Sequence, residues 1–200
     1  MTEIALFPLP LVLFPGGKLP LQIFETRYLD MIKNCMKEDV GFGVILIEEG
    51  KQVLRHARQE QPRIADIGTY CAIVDFDQQA NGLLQITIEG EVKFSIRHQY
   101  ENVDRLMLAQ VEFLPLEDPS PIPENKHHLV ELLETLTRHE SVQSLDLTVD
   151  FEAADDVSAR LTELLPCENN FKQRMLELEN PVVRLTELEK QLLRMQDLNR

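Results

Sequence analysis

The chain reads as an α+β protein, a β-rich front followed by a helical back. Three observations carry this. Short apolar runs punctuated by Pro and Gly fill the first 117 residues. A single stretch of helical spacing interrupts them. Beyond the proline cluster at 118–125 the apolar residues recur at three- and four-residue intervals to the end. The expected organisation is therefore a β-rich domain over 1–117, a Pro-rich linker over 118–125 and an α-helical region over 126–200.

Ile4–Phe7 and Leu11–Phe14 are short runs split by Pro8 and Pro10, which suits bent or edge strands because proline cannot donate to a ladder. Pro15-Gly16-Gly17 marks a turn, and Leu19–Phe24 resumes an extended segment. Phe24, Tyr28, Leu29, Ile32 and Met36 then fall on one helical face, predicting a helix from Glu25 to about Lys37. Phe42–Ile47 is apolar throughout, as a buried strand would be. The segment from Gly50 to Arg63 is polar and locally basic, a long loop. Ile67–Phe76 and Leu83–Ile88 read as a hairpin turned at Asn81-Gly82, and Val92–Ile96 and Leu106–Phe113 continue the β series.

In the helical part, Leu129, Leu132, Leu133 and Leu136 line a helix from about Glu124 to His139. Glu140–Asp156 is acidic and expected to be a solvated loop. Val157, Leu161, Leu164 and Leu165 mark a helix stopped by Pro166. Asn170 is the expected N-cap of the next helix, and Pro181 sits in the first turn of the last.

Charge limits the partners. Net charge is −14, with 11 Lys and Arg against 17 Asp and Glu up to Glu117, and 9 against 17 beyond it. Affinity for phosphates comes from cationic side chains that displace counterions, so acidity disfavours nucleic acid and anionic membrane. The apolar N-terminus lacks the basic start of a signal peptide, and no run reaches the roughly 18–20 apolar residues of a membrane helix. Cys35, Cys71 and Cys167 are odd in number and widely spaced, which suits reduced thiols and a cytoplasmic setting.

Catalytic patterns fail one by one. Gly17-Lys18 is the one phosphate-loop candidate, but Val12 stands where the first Gly belongs and Leu19 replaces Ser or Thr. Gly41-x-Gly43 continues to Leu46 instead of a third Gly. No serine lies in a G-x-S-x-G elbow. His127 and His128 are adjacent and diverge on a helix. Asp75-x-Asp77-x-Gln79 begins like a calcium loop but has Ala80 and Ile86 where Gly and Glu are required. Cys167 has no partner that the sequence identifies. The expectation is no catalytic residue, no metal and no cofactor.

The residues Leu6–Ile32 carry a resemblance. Phe14, Pro15, Gly16, Gly17, Leu19, Pro20, Leu21, Ile23, Phe24, Glu25, Arg27, Tyr28 and Met31 match an "FPGG…LPLxIFExRYxxM" pattern. This resembles bacterial single-domain members of the Lon protease N-terminal, substrate-binding domain family. Ile67–Phe76 is similar to that family's "VGT-x-A-x-I" strand, and Glu89-Gly90 to its "EG" segment. The tail from Leu161 to Leu188 resembles its terminal helices. Together these cover nearly the whole chain.

The resemblance implies a PUA-like pseudo-barrel of mainly antiparallel strands with one inserted helix, followed by an α-helical bundle. It implies a stand-alone, non-enzymatic module that holds unfolded polypeptide segments or a partner protein, an adaptor in protein quality control. The candidate peptide-binding residues are Phe14, Pro15, Leu19, Pro20, Phe24, Arg27 and Tyr28. The alternative for Glu25, Arg27 and Tyr28 is an internal anchor that pins the helix to the barrel. The alternative function is RNA or nucleotide binding, by analogy with other PUA-like folds. The apolar stripe of the last helix fits intramolecular core better than a dimer seam, with a homodimer as its second reading.

Overall fold

Among the described residues, seven strands and six α-helices form in the order β1 (Thr2–Leu9), β2 (Lys18–Ile23), α1 (Thr26–Glu38), β3 (Phe42–Glu49), β4 (Arg63–Ile64), β5 (Ile67–Gln78), β6 (Leu84–Glu101), β7 (Met107–Phe113), α2 (His127–Thr137), α3 (Glu140–Gln143), α4 (Ala154–Leu164), α5 (Asn169–Glu177) and α6 (Pro181–Leu198). The structure is a computed structural model and describes residues 1–50, 52, 60–78 and 83–198. The chain divides into two compact units, Met1–Pro115 and Leu116–Arg200.

In the first unit the sheet closes on itself. The strands run β1-β7-β6-β5-β3, and β3 returns to β1. All neighbours are antiparallel except β1 and β3, which pair in parallel from Leu6↔Gly43 to Leu9↔Leu46. β2 lies outside this ring and pairs with β6, and β4 pairs with β3. The α+β class expected from the pattern is thus realised as a ring of strands plus helices.

β1 is one strand where two short proline-split runs were expected. Its first half, Thr2–Ala5, pairs with β7, and its second half pairs with β3. Pro8 falls in the half that β7 no longer covers, so a strand edge is available for a residue with no N–H. Leu11–Phe14 forms no strand, but Val12, Leu13 and Phe14 are buried. β6 likewise runs unbroken over 18 residues, joining two runs that the sequence separates at Glu89-Gly90. It pairs with β5 on one side and with β2 and then β7 on the other. The expected Asn81-Gly82 turn and most of the 50–63 loop lie outside the described residues.

Two sets of strand side chains are buried: Ile4, Leu6 and Phe94 on one side, and Phe7, Phe42, Val44, Ile86 and Ile88 in a cluster on the other. Close approach explains one glycine in particular. A methyl on Gly68 would stand 2.5 Å from the Val44 carbonyl oxygen and 2.7 Å from the Phe94 ring. The backbone oxygen belongs to the neighbouring strand and cannot swing away. α1 adds Tyr28, Met31, Ile32 and Cys35 to the cluster of Phe7, Phe42, Val44, Ile86 and Ile88.

The second unit is helical. Leu129 and Leu133 of α2, Val157 and Leu161 of α4, Phe171 and Met175 of α5, and Leu185 and Leu188 of α6 are buried. The stripe on α6 is therefore intramolecular core at Leu185 and Leu188. Arg184 is buried among them and donates to the carbonyls of Met175 (2.9 Å) and Leu178 (3.0 Å), to Ser158 Oγ (3.1 Å) and to the Glu117 carboxylate. The 118–125 segment belongs to this unit: Ala154 N–H donates to the Ser120 carbonyl at 2.8 Å, and Pro121 bridges to Ala153.

Two boundaries differ from expectation for local reasons. Asn170 lies within α5, whose N-cap is Glu168, and no side chain caps it. The capping asparagine is Asn180 at α6, whose Oδ1 accepts from Val182 N–H (2.9 Å) and Val183 N–H (3.1 Å) just ahead of the helical turn begun by Pro181. Within the acidic 140–156 stretch a four-residue helix forms at Glu140–Gln143, with Ser141 N–H donating to His139 Nδ1 at 3.4 Å.

Gly68→Ala should destabilise the chain by about 2 kcal/mol through overpacking against the Val44 carbonyl, read as a lower urea midpoint.

Candidate peptide-binding groove

An open groove of about 570 Å³ lies between the C-terminal end of α1 and the outer half of β5. Its position follows from where β3 stops. β3 pairs with β5 from Val44↔Thr69 to Phe42↔Cys71 and no further. β5 continues to Gln78, and from Ala72 onward it is paired only with β6 among the described residues. The second edge of this stretch borders the groove, in the lane that β3 leaves empty.

Local chemistry shapes the other wall. α1 ends with Asp39 in the left-handed conformation, φ 53°. Val40 N–H donates back to the Cys35 carbonyl at 3.1 Å, the Schellman arrangement that reverses the chain. This turn holds Val40 beside Met36. Gly41 then passes so close to β5 that a methyl there would lie 2.1 Å from the Cys71 carbonyl oxygen. Gly41 N–H donates to the Tyr70 hydroxyl at 2.6 Å, fastening the turn to the strand.

Four apolar side chains line the groove and remain exposed: Met36, Val40, Val74 and Phe76, the last 59% accessible. Two irregularities of the β5–β6 ladder place lining residues. Val74 is the extra residue between Ile73↔Ile88 and Asp75↔Thr87, and Glu91 is the extra residue between Val92↔Tyr70 and Gly90↔Cys71. Bulges re-aim side chains in this way. The charged lining residues are Asp39, Asp75 and Glu91. Asp75 Oδ1 accepts from Phe76 N–H at 2.9 Å, a bond that uses no neighbouring strand. Cys35 closes the bottom of the groove; burial, reinforced by the nearby Glu38 charge, pushes its thiol up to about 11. At neutral pH it is a protonated thiol, not a nucleophile.

The residues singled out from the sequence lie elsewhere. Phe14 is in the core. Arg27 is 9% accessible and acts as an internal clamp: it donates to Glu25 (3.2 Å), to the Arg105 carbonyl (2.9 Å) and to the Gln52 carbonyl (3.1 Å), and it lies 4.5 Å from the centre of the Tyr28 ring. Tyr28, 3% accessible, packs on Phe7 with ring centres 4.1 Å apart and ring planes tilted by 32°. Burial raises its phenol to about 12, with Arg27 opposing that shift and Glu25 adding to it. Pro15 and Leu19 are half-buried, while Pro20 and Phe24 are exposed. β2, which carries Pro20, is also an edge strand, but there the proline removes a donor.

Sequence reading missed Val40, Val74 and Phe76. The available signal was V-D-F-D at 74–77, where apolar residues alternate with acids at the end of a strand whose inner half carries no charge. Among the described residues, no cluster of three or more His, Cys, Asp or Glu is arranged to hold a metal ion, and no helix is long and apolar enough to cross a membrane.

A ring-closed barrel with an open groove beside an unfilled strand lane is the architecture of a binding module. The chain belongs to the ATP-dependent protease La (LON) substrate-binding domain family, whose family model matches residues 3–194. It is 27% identical over 186 residues to a Lon protease of Cytophaga hutchinsonii, a match covering 88% of this chain and 22% of that protein. It is 24% identical over 202 residues to a LON peptidase N-terminal domain and RING finger protein of Schizosaccharomyces pombe, covering 86% of this chain and 41% of that one. The chain thus spans well under half the length of these relatives. A crystal structure of a Lon N-terminal domain protein from Xanthomonas campestris superposes with a TM-score of 0.76 at 27% identity, covering 95% of this chain and 98% of that one. The N-terminal domain of a Mycobacterium avium complex Lon protease shares the fold, with a TM-score of 0.59 at 14% identity over 94% of this chain and 96% of that one.

Because the folded Tyr28 phenol holds its proton to about 12, against about 10 in an unfolded chain, folding favours the protonated form. That contribution is complete below pH 10 and is lost as pH rises from 10 to about 12. Urea midpoints should fall over this window, and the Tyr28→Phe variant should show a shallower fall.

Proposed function

We propose that the chain is a non-enzymatic polypeptide-binding module and that the groove between α1 and β5 is where it holds its ligand. The observation that carries this reading is the coincidence of four exposed apolar side chains with an unpaired strand edge. Apolar side chains supply affinity when water leaves them, about 25 cal/mol per Å² before ordering costs. A strand edge supplies backbone donors and acceptors that any extended polypeptide can meet, whatever its sequence. Together they suit a site that accepts unfolded segments of many proteins. Membership of a substrate-binding domain family supports the same reading, and delivery of the held segment to a separate machine would make the protein an adaptor in protein quality control.

Within this proposal the sequence-selected residues divide by role. Arg27, Tyr28 and Phe14 hold the barrel and α1 in place. Pro20 and Phe24, on the β2 side, provide a secondary apolar contact for a long segment. The acidic surface, at −14 overall, keeps RNA and nucleotide binding a minor alternative.

A carboxymethylated, permanently unfolded test protein should bind the purified chain without ATP and should not be cleaved. The double variant Val74→Asp with Phe76→Ser should weaken binding at least tenfold, about 1.4 kcal/mol or more, at unchanged thermal stability. Unaltered affinity in that variant would move the site elsewhere.

A further inference from the structure

We infer that the groove selects extended segments in which basic side chains alternate with apolar ones, bound as an added strand along Ala72–Gln78 of β5. This rests on the polypeptide-binding reading and goes beyond it by naming the ligand chemistry.

Three features converge on it. The first is charge. Among the described residues, those that line the groove include the carboxylates of Asp39, Asp75 and Glu91 and no Lys or Arg. Glu38 and Asp77 adjoin two of them in the chain. Among the described residues none of the three lining carboxylates is in an ion pair within 4.0 Å, whereas other surface acids, such as Glu112 with Arg97 and Glu187 with Lys190, are paired. Unpaired carboxylates around an apolar floor complement cations borne on an otherwise apolar ligand.

The second is period. Side chains of an added strand alternate between the two faces of the sheet. Beyond the bulge at Val74 the β5 stretch opposite it alternates too, with exposed Phe76 between Asp75 and Asp77. A ligand strand whose residues alternate apolar and basic meets Phe76 with one set and the carboxylates of Asp75 and Asp77 with the other.

The third is the state of the edge. The Phe76 N–H is held by the Asp75 carboxylate at 2.9 Å. An incoming backbone carbonyl can replace that acceptor, and Asp75 is then released to pair with a ligand cation. The side chain that covers the empty edge thus becomes a contact once the edge is filled. A second copy of this chain is the wrong occupant, because each copy carries −14 and the groove itself is acidic. An anionic nucleic acid is disfavoured on the same ground.

The test uses three synthetic ten-residue peptides labelled with a fluorophore: alternating Val and Lys, alternating Val and Glu, and the Val-Lys peptide N-methylated at every second residue. Anisotropy titrations with the full chain should give at least tenfold tighter binding for Val-Lys than for Val-Glu. The preference should shrink as salt is raised. In the Asp39→Asn, Asp75→Asn, Glu91→Gln variant, checked for folding by circular dichroism, the two peptides should bind within about threefold of each other. N-methylation should remove at least tenfold of the affinity by blocking edge hydrogen bonds. Equal binding of Val-Lys and Val-Glu by the native chain, or full binding of the N-methylated peptide, would overturn the inference. If the native chain binds none of the peptides yet holds the unfolded test protein through Val74 and Phe76, the inference fails and the broader reading stands. If Val74 and Phe76 matter to neither ligand, both fail.

Discussion

The first unit depends on β1 belonging to two neighbours at once. Its first four residues pair with β7 and its last four with β3, and without that handover the sheet would be an open, twisted layer with two long edges. Leu6, Phe7 and Leu9 are all buried along β1, and closure leaves a single parallel pair in an otherwise antiparallel ring. A closed ring is also a rigid one, because no strand can slide without breaking hydrogen bonds on both sides. The Arg27 clamp extends this rigidity to α1. Its guanidinium ties the helix start to the Arg105 and Gln52 carbonyls, so the helix that forms one wall of the groove is fixed at its far end as well as by the Schellman turn at its near end.

The groove is a consequence of a length mismatch within that ring. β5 has 12 residues and β6 has 18, while β3 has 8 and covers only the inner part of β5. The outer part of β5 and β6 projects as a ribbon edged by β2 on one side and by nothing described on the other. The two edges are treated differently. Pro20 sits in β2 and removes a donor, one of the ordinary ways in which a protein discourages further pairing. On β5 the Asp75 carboxylate meets the Phe76 N–H, a reversible cover. A protein that left both edges open would invite aggregation, and one that closed both could not add a strand.

The fold class was legible because hydrophobic periodicity is a local property. The switch from proline-punctuated runs to a helical face at Phe24–Met36 marked α1 to within a residue, and the Leu-rich periodicity after Asn125 marked the helical unit. What was not legible depended on neighbours. Pro8 looked like a strand breaker until the departure of β7 from its side made it harmless. Glu89-Gly90 looked like a break until β6 was seen to be held by β5 and β2 across it. Arg27 and Tyr28 stood out as polar and aromatic residues beside an apolar segment, which is how both a ligand contact and a buried clamp look in one dimension. Their roles separate only when burial is known. The groove residues were inconspicuous for the opposite reason: Val74 and Phe76 resemble any strand residues, and their exposure follows from a bulge and from the point where β3 ends.

Hydrogen–deuterium exchange with and without the unfolded test protein would show whether β5 gains a strand. Exchange should slow at the β5 amides between Ala72 and Gln78, with the β2 amides between Lys18 and Ile23 little changed. Slowed exchange confined to β2 or to the helical unit, with the β5 amides unaffected by a bound ligand, would contradict strand addition at β5.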